Sequence, residues 1–399
     1  MTAVGLSQVA YRHVDDFARA AGLTAELFAL IGDPDITDVL INPDGSVWVE
    51  RAGQLHRTGY VIEEVRALAV RLAAAAGRRL DDAAPVVDAT IAGRVRLHAI
   101  LGPLAASGGP GGQHGSPLGV SSPTQADSGV AASGVAGSGV AAISLRVARP
   151  QHFSLSELQE RAAVAPPVRA LIDDLVAMRA NTVISGATGS GKTTVLAAAL
   201  AQVPADQRIV IIEESHELNP PHPHVVRLQS RGANVEGAGG VTMTELVRAA
   251  LRMRPDRIVL GEARGAEVRD VLTALNTGHQ GCWFTVHANS CADVPARLFA
   301  LASLAGMSEM SLAAQASSAL DAIIHISRAG GHRHIAEVAV LQRHGSDLQV
   351  VPVVRADPHG HLRTYSAGLD ALHRQGLIRA STHTAVGTYA QPAHVGRKP

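Results

Sequence analysis

The chain has 399 residues, room for two or three domains of roughly 150 residues each. Apolar residues make up 46% but aromatics only 3%, so a core must be built from Ala, Val, Leu and Ile. Lys+Arg and Asp+Glu both number 35, a formal net charge of zero, so a whole-chain basic footprint for nucleic acid is absent. The two cysteines, Cys282 and Cys291, are too few for a four-cysteine zinc site and read as small semi-buried hydrophobes. The N-terminus lacks a basic stretch followed by an apolar one, so no signal peptide is expected. No window reaches the ~18 apolar residues of a membrane span, so membrane contact is expected only through partners.

In chain order, residues 8–30 read as helix, stopping at Gly32-Asp33-Pro34. Residues 35–42 and 46–51 alternate as strands around the turn Pro43-Asp44-Gly45, a β-hairpin signature. Helical periodicity over 63–76 and alternation over 93–100 complete an α+β N-terminal domain, residues 1–150, with a small antiparallel sheet. Residues 105–141 are dominated by Gly, Ala, Ser, Pro and Val, with Asp127 the one charged side chain. Such a stretch buries too little to offset the entropy of ordering it, and is expected to be a flexible insertion. A strand over 142–147 and helices over 156–162 and 167–178 follow. From there to about residue 328, short β-branched runs alternate with Ala/Leu-rich helices, the pattern of a mostly parallel sheet. An α/β domain over 151–345 is expected, then a polar, partly disordered extension over 346–399, with a short strand near 348–354 and a weakly ordered tail after Gly368.

The segment Gly186-Ala187-Thr188-Gly189-Ser190-Gly191-Lys192-Thr193 matches G-x-x-x-x-G-K-[ST] between an apolar run (182–184) and an Ala/Leu-rich helix starting at Thr194. Glycines let the backbone wrap a phosphate with its N–H groups facing the anion, and the helix N-terminus adds positive potential. Lys192 is placed to reach the β- and γ-phosphates, and Thr193 to ligate Mg²⁺.

Two apolar runs downstream close on carboxylates: 209–212 on Glu213-Glu214, and 258–260 on Gly261-Glu262. Parallel sheets place ligands at the carboxyl ends of their strands, so these acids are candidates for Mg²⁺ or the attacking water. A third run, 282–286, closes on His287, a candidate γ-phosphate sensor or water-orienting group. For His279, helix capping competes with a catalytic role. Arg227, Arg231, Arg248, Arg252 and Arg254 lie between the acidic strands. One or two of them are candidates for cationic transition-state stabilisation.

These residues together resemble the type II/IV secretion ATPase family, in its Flp/Tad-type pilus and conjugal-transfer branches. The resemblance covers about 30–345. Gly186 to Thr194 resembles the Walker A motif, and Ile212 to Leu218 the Asp box. Leu251 to Gly265 resembles the Walker B region, and Gly278 to Ser290 the His box. The resemblance implies a RecA-like P-loop domain with a smaller α+β N-terminal domain, and a homo-hexamer binding ATP and Mg²⁺. It implies nucleotide between the two domains with Arg146 reaching towards it, Glu213 as base or water-orienting group, and Glu262 supporting Mg²⁺, these last two roles being exchangeable. It further implies a cytoplasmic motor, peripheral at the inner membrane, that works with membrane platform proteins in pilus assembly, protein secretion or conjugal transfer. Glu214 and Ser215 depart from the common Asp and Thr, and the four-cysteine zinc module of many pilus-extension relatives is missing. Alternatives are a nucleic-acid-dependent P-loop motor, disfavoured by zero net charge and few aromatics for base stacking, and a nucleotide-gated scaffold, disfavoured by the intact acids.

Overall fold

The computed structural model describes residues 21–51, 53–91, 95–102, 104, 140–147, 153–232, 239–329, 331–345 and 347–388. The expected insertion therefore lies, over 105–139, outside the described residues. Contacts divide the chain into two units, Met1–Arg149 and Pro150–Pro399.

The first unit contains α1 (Ala25–Gly32), β1 (Ile36–Ile41), β2 (Ser46–Arg51), β3 (Gln54–Val61), α2 (Val65–Ala75), β4 (Val86–Ile91), β5 (Val95–Leu101) and β6 (Ala141–Val147). Thr24 caps α1, its hydroxyl accepting from Leu27 N. The β1–β2 hairpin turns at Gly45, whose φ of 79° suits a residue without Cβ. The sheet runs β3-β2-β1-β6-β5-β4 and is antiparallel throughout, six strands where the sequence suggested a smaller sheet. β3 escapes local reading because it is exposed along nearly its whole length and so lacks a buried alternate set, whereas β4 buries alternate Val87, Ala89 and Ile91. On β5, Val95, Leu97, Ala99 and Leu101 are buried while the intervening residues are not. α2 buries Val65, Leu68, Ala69 and Leu72, the i, i+3, i+4, i+7 stripe of an amphipathic helix, in the same core.

The second unit opens with α3 (Leu155–Glu160), α4 (Pro166–Ala177), β7 (Thr182–Gly186), α5 (Lys192–Leu200), β8 (Ile209–Glu213), β9 (Val225–Gln229), α6 (Met243–Ala250), β10 (Arg257–Leu260), α7 (Glu267–Asn276) and β11 (Trp283–Val286). It continues with α8 (Val294–Ser303), α9 (Glu309–Ala319), β12 (Ala322–Ala329), β13 (His332–His344), β14 (Asp347–Ala356), β15 (Leu362–Thr364), α10 (Ser366–Arg374) and α11 (Ala380–Thr388). Its nine strands are ordered β15-β14-β13-β12-β7-β11-β10-β8-β9, parallel from β12 to β9 and antiparallel from β12 to β15. Every residue of β7, β8, β10 and β11 is buried, as expected of parallel strands with a core on each face.

Within the C-terminal extension the short strand expected near 348–354 is β14, whereas the tail expected to be weakly ordered after Gly368 is helical as far as Thr388; residues 389–399 lie outside the described residues. β14 and β15 extend the main sheet, and α10 and α11 follow with buried Leu369, Leu372 and Val386. The polar composition concealed a sparse apolar set and a distant anchor. Asp174 on α4, with none of its surface exposed, accepts from Arg379 N at 2.8 Å and from its guanidinium at 2.5 Å. Cys282 and Cys291 are free and buried, burial pushing the Cys282 thiol up to about 12.

Candidate active site

β7, β11, β10 and β8 are consecutive and parallel in the sheet. Their carboxyl ends therefore lie in a row and deliver, in that order, the loop from Gly186, then His287, Glu262 and Glu213. Three of the loop glycines have positive φ: 153° at Gly186, 70° at Gly189 and 101° at Gly191. Gly186 also lies under close backbone, since a Cβ there would sit 2.6 Å from the Ile326 carbonyl oxygen. α5 then begins at Lys192 with no side-chain cap, leaving its first N–H groups facing the loop.

Lys192 is buried and turns back on the loop. Its Nζ donates to the Gly186 and Ala187 carbonyls at 3.0 Å each and to His287 Nδ1 at 3.2 Å. Burial moves the Lys192 pKa below its ordinary value, against the pull of Glu262. An ammonium has no acceptor, so Nδ1 of His287 accepts and the ring proton belongs on Nε2. Nε2 lies 2.8 Å from Glu262 Oε1. Burial, and then the Lys192 charge, lower the His287 pKa below 6.5, so the ring is neutral at pH 7.

Glu262 is also held by Arg264, whose guanidinium donates to Glu262 Oε2 at 2.8 Å and to Glu214 Oε2 at 2.7 Å. Burial raises the Glu262 pKa, but Arg264, His287 and Lys192 outweigh it and the net shift is downward. This carboxylate stays ionised and is a poor proton acceptor.

Glu213, 3% exposed, is held differently. Its Oε1 accepts from Leu218 N at 2.9 Å and Glu217 N at 3.1 Å. Its Oε2 is buried with no hydrogen-bond partner among the described residues, His216 Nδ1 being 3.9 Å away. Room for Glu213 depends on Gly261, where a Cβ would meet Glu213 Cγ at 2.7 Å.

The structure thus gathers Gly186, Ala187, Thr188, Gly189, Ser190, Gly191, Lys192, Thr193 and Thr194 with His287, Glu262 and Glu213 at one end of one sheet. Arg146 lies on β6 of the other unit, where its Nε donates to Asp38 Oδ1 at 2.9 Å. His279 caps α7, its ring nitrogen meeting the Ala274 carbonyl at 3.2 Å. Among the candidate arginines, Arg248 pairs with Asp270 at 2.8 Å, Arg227 with Asn219, and Arg231 donates to the Gly239 carbonyl. Two residues that sequence reasoning left without a role join the site. Arg264 had a signal in its spacing of two from Glu262. Arg333, whose Nε donates to the Gly189 carbonyl at 2.9 Å from 144 positions away, had none.

Comparison with known proteins gives a consistent result. The family described as "Type II/IV secretion system protein" matches residues 132–350. A Mycobacterium tuberculosis protein named for conjugal transfer is 43% identical over 371 residues, covering 90% of this chain and 94% of that one. Two solved structures, each 18% identical, match in fold. The Legionella pneumophila ATPase DotB has a TM-score of 0.53 and covers 90% of this chain and 94% of its own. The pilus retraction motor PilT, with bound ADP, has a TM-score of 0.52 and covers 90% and 96%. The shared fold is a RecA-like P-loop unit with a smaller α+β N-terminal unit.

Proposed function

This chain belongs to the type II/IV secretion system protein family, and on that premise we propose that it is a Mg²⁺-dependent ATPase that powers transfer through a membrane-bound secretion, pilus or conjugation machine. The observation that carries the reading is the row of strand ends presenting the phosphate loop, His287, Glu262 and Glu213 side by side. The mycobacterial relative's name favours the conjugal-transfer branch. In this reading the protein works as a homo-hexamer at the cytoplasmic face of the inner membrane, against membrane platform proteins. No helix among the described residues is long and apolar enough to cross a membrane.

Thr193 and Glu262 are the residues that would hold Mg²⁺, which when bound neutralises charge on the β- and γ-phosphates. The donor set fits: a hydroxyl in the first turn of α5, an ionised carboxylate, and a buried Ser190 hydroxyl without a hydrogen-bond partner among the described residues. Lys192 leaves the Gly186 and Ala187 carbonyls for the phosphate oxygens. Glu213 is the better base because one oxygen is anchored by backbone N–H groups and the other, buried, has no hydrogen-bond partner among the described residues and keeps its lone pairs for a water. Neutral His287 sits between Lys192 and Glu262, its Nδ1 accepting from the Lys192 ammonium and its Nε2 beside the Glu262 carboxylate.

Lys192→Ala should lower ATP turnover by about 10³-fold or more, and wild-type-like phosphate release by the variant would refute the reading. Glu262→Gln should retain bound ATP after gel filtration. Stimulation of turnover by single-stranded DNA with a steep salt dependence would instead place nucleic acid on the protein itself.

A further inference from the structure

We infer that Arg333 is the platform for the purine base of the bound nucleotide, a specificity element for the P-loop site; the inference rests on the nucleotide reading above. The sheet order puts β7 between two flanks, β11 and β10 on one side and β12 and β13 on the other. Lys192, His287 and Glu262 mark the first flank as the γ-phosphate side. A nucleotide lying along the loop must send its base towards the second, where β13 carries Arg333.

The arginine is fixed there. Its Nε donates to the Gly189 carbonyl at 2.9 Å, and its stem runs beside Gly191, with Cδ 3.6 Å from where a Cβ would stand. The strand beneath is anchored in turn: Ile335 N donates to the Ala163 carbonyl at 2.9 Å, and His332 Nε2 lies 3.2 Å from the Ala162 carbonyl. Arg333 is exposed, and among the described residues no partner occupies its terminal Nη groups. A flat cation pinned at one edge and open on its face stacks on an aromatic base.

Among the described residues 153–388, no Phe, Tyr or Trp is free to take the base. Trp283 and Phe284 are buried within the sheet, and Phe299 packs on the core. Phe153 has the Arg161 guanidinium over its ring at 4.6 Å, and Tyr365 has two guanidiniums at 5.4 and 5.1 Å.

The test is calorimetric titration of the full-length protein with ADP and, separately, with inorganic tripolyphosphate, both with Mg²⁺. Arg333→Ala should weaken ADP about tenfold and tripolyphosphate less than about twofold, because only the nucleotide has a base. Arg333→Gln, which keeps a donor for the Gly189 carbonyl but not the cationic face, should behave like Arg333→Ala. Equal losses for both ligands in both variants would mean that Arg333 only braces the loop and would overturn the inference, as would unchanged ADP affinity. Failure of the wild type to bind either ligand would overturn the P-loop reading itself, an outcome distinct from the other two.

Discussion

The two sheets of this chain spend their residues differently. In the N-terminal unit, β5 and β6 alternate buried and more accessible positions, so one face of the sheet meets the core and the other presents side chains such as Arg96 and Arg146. In the second unit, β7, β8, β10 and β11 are buried at every position. Such strands have no free face, and chemistry can leave them only at their ends. An antiparallel sheet can present function along its face, whereas a parallel one concentrates it in a line where the strands stop.

Perturbations at strand ends should therefore cost activity, and those within strands should cost stability. The largest effect is expected from Glu213→Gln, a loss in kcat on the order of 10²–10⁴ with an unchanged melting temperature; a loss below about tenfold would remove Glu213 from the role of base. Next is Gly261→Ala, whose Cβ must push Glu213 aside. A displacement of about 1 Å costs on the order of 10²-fold, and thermal unfolding would show whether the fold is spared. Within a strand, Ile211→Ala should lower unfolding free energy by about 2–5 kcal/mol, read by urea denaturation. Arg146→Ala, on the accessible face, should change stability by less than about 1 kcal/mol. If its guanidinium serves the nucleotide as the family resemblance implies, KM for ATP rises while the melting temperature holds.

The strand-end site was legible because each part of it is local: a glycine-rich loop, or an apolar run closed by an acid or a histidine. What escaped the sequence is what joins parts far apart. The Arg333 contact with Gly189 spans 144 positions, and the Ser185 hydroxyl meets His325 Nδ1 at 2.9 Å across 140. No periodicity encodes either. The helical order over 366–388 is hidden for a related reason: it draws on the buried Asp174 and on a core assembled from distant parts of the chain rather than on local composition.

The smallest predicted effect sharpens the comparison through pH. His325, on β12 between β7 and β13, faces Ser185, with Lys192, Asp293, His334 and its cross-strand partner Glu337 as charged or titratable neighbours. Burial, with Lys192 and His334, lowers its pKa below 6.5 despite the Asp293 charge, and burial, with His332, likewise lowers that of His334. A histidine with a depressed folded pKa adds stability above its unfolded value that is lost as pH falls towards the folded one. The second unit should therefore weaken below about pH 6.5, and His325→Gln should flatten that slope in denaturation curves collected between pH 5 and 7.5.

The ion pair between Asp174 and Arg379 also sets an order of events in synthesis. Asp174 emerges from the ribosome well before the P-loop unit is complete, and its partner follows 205 residues later. Until Arg379 arrives, a carboxylate destined for a fully buried position has no counter-charge, and burying it alone would cost several kcal/mol. The helix carrying Asp174 thus gains its full packing only once Arg379 and the α11 residues that follow it have been added.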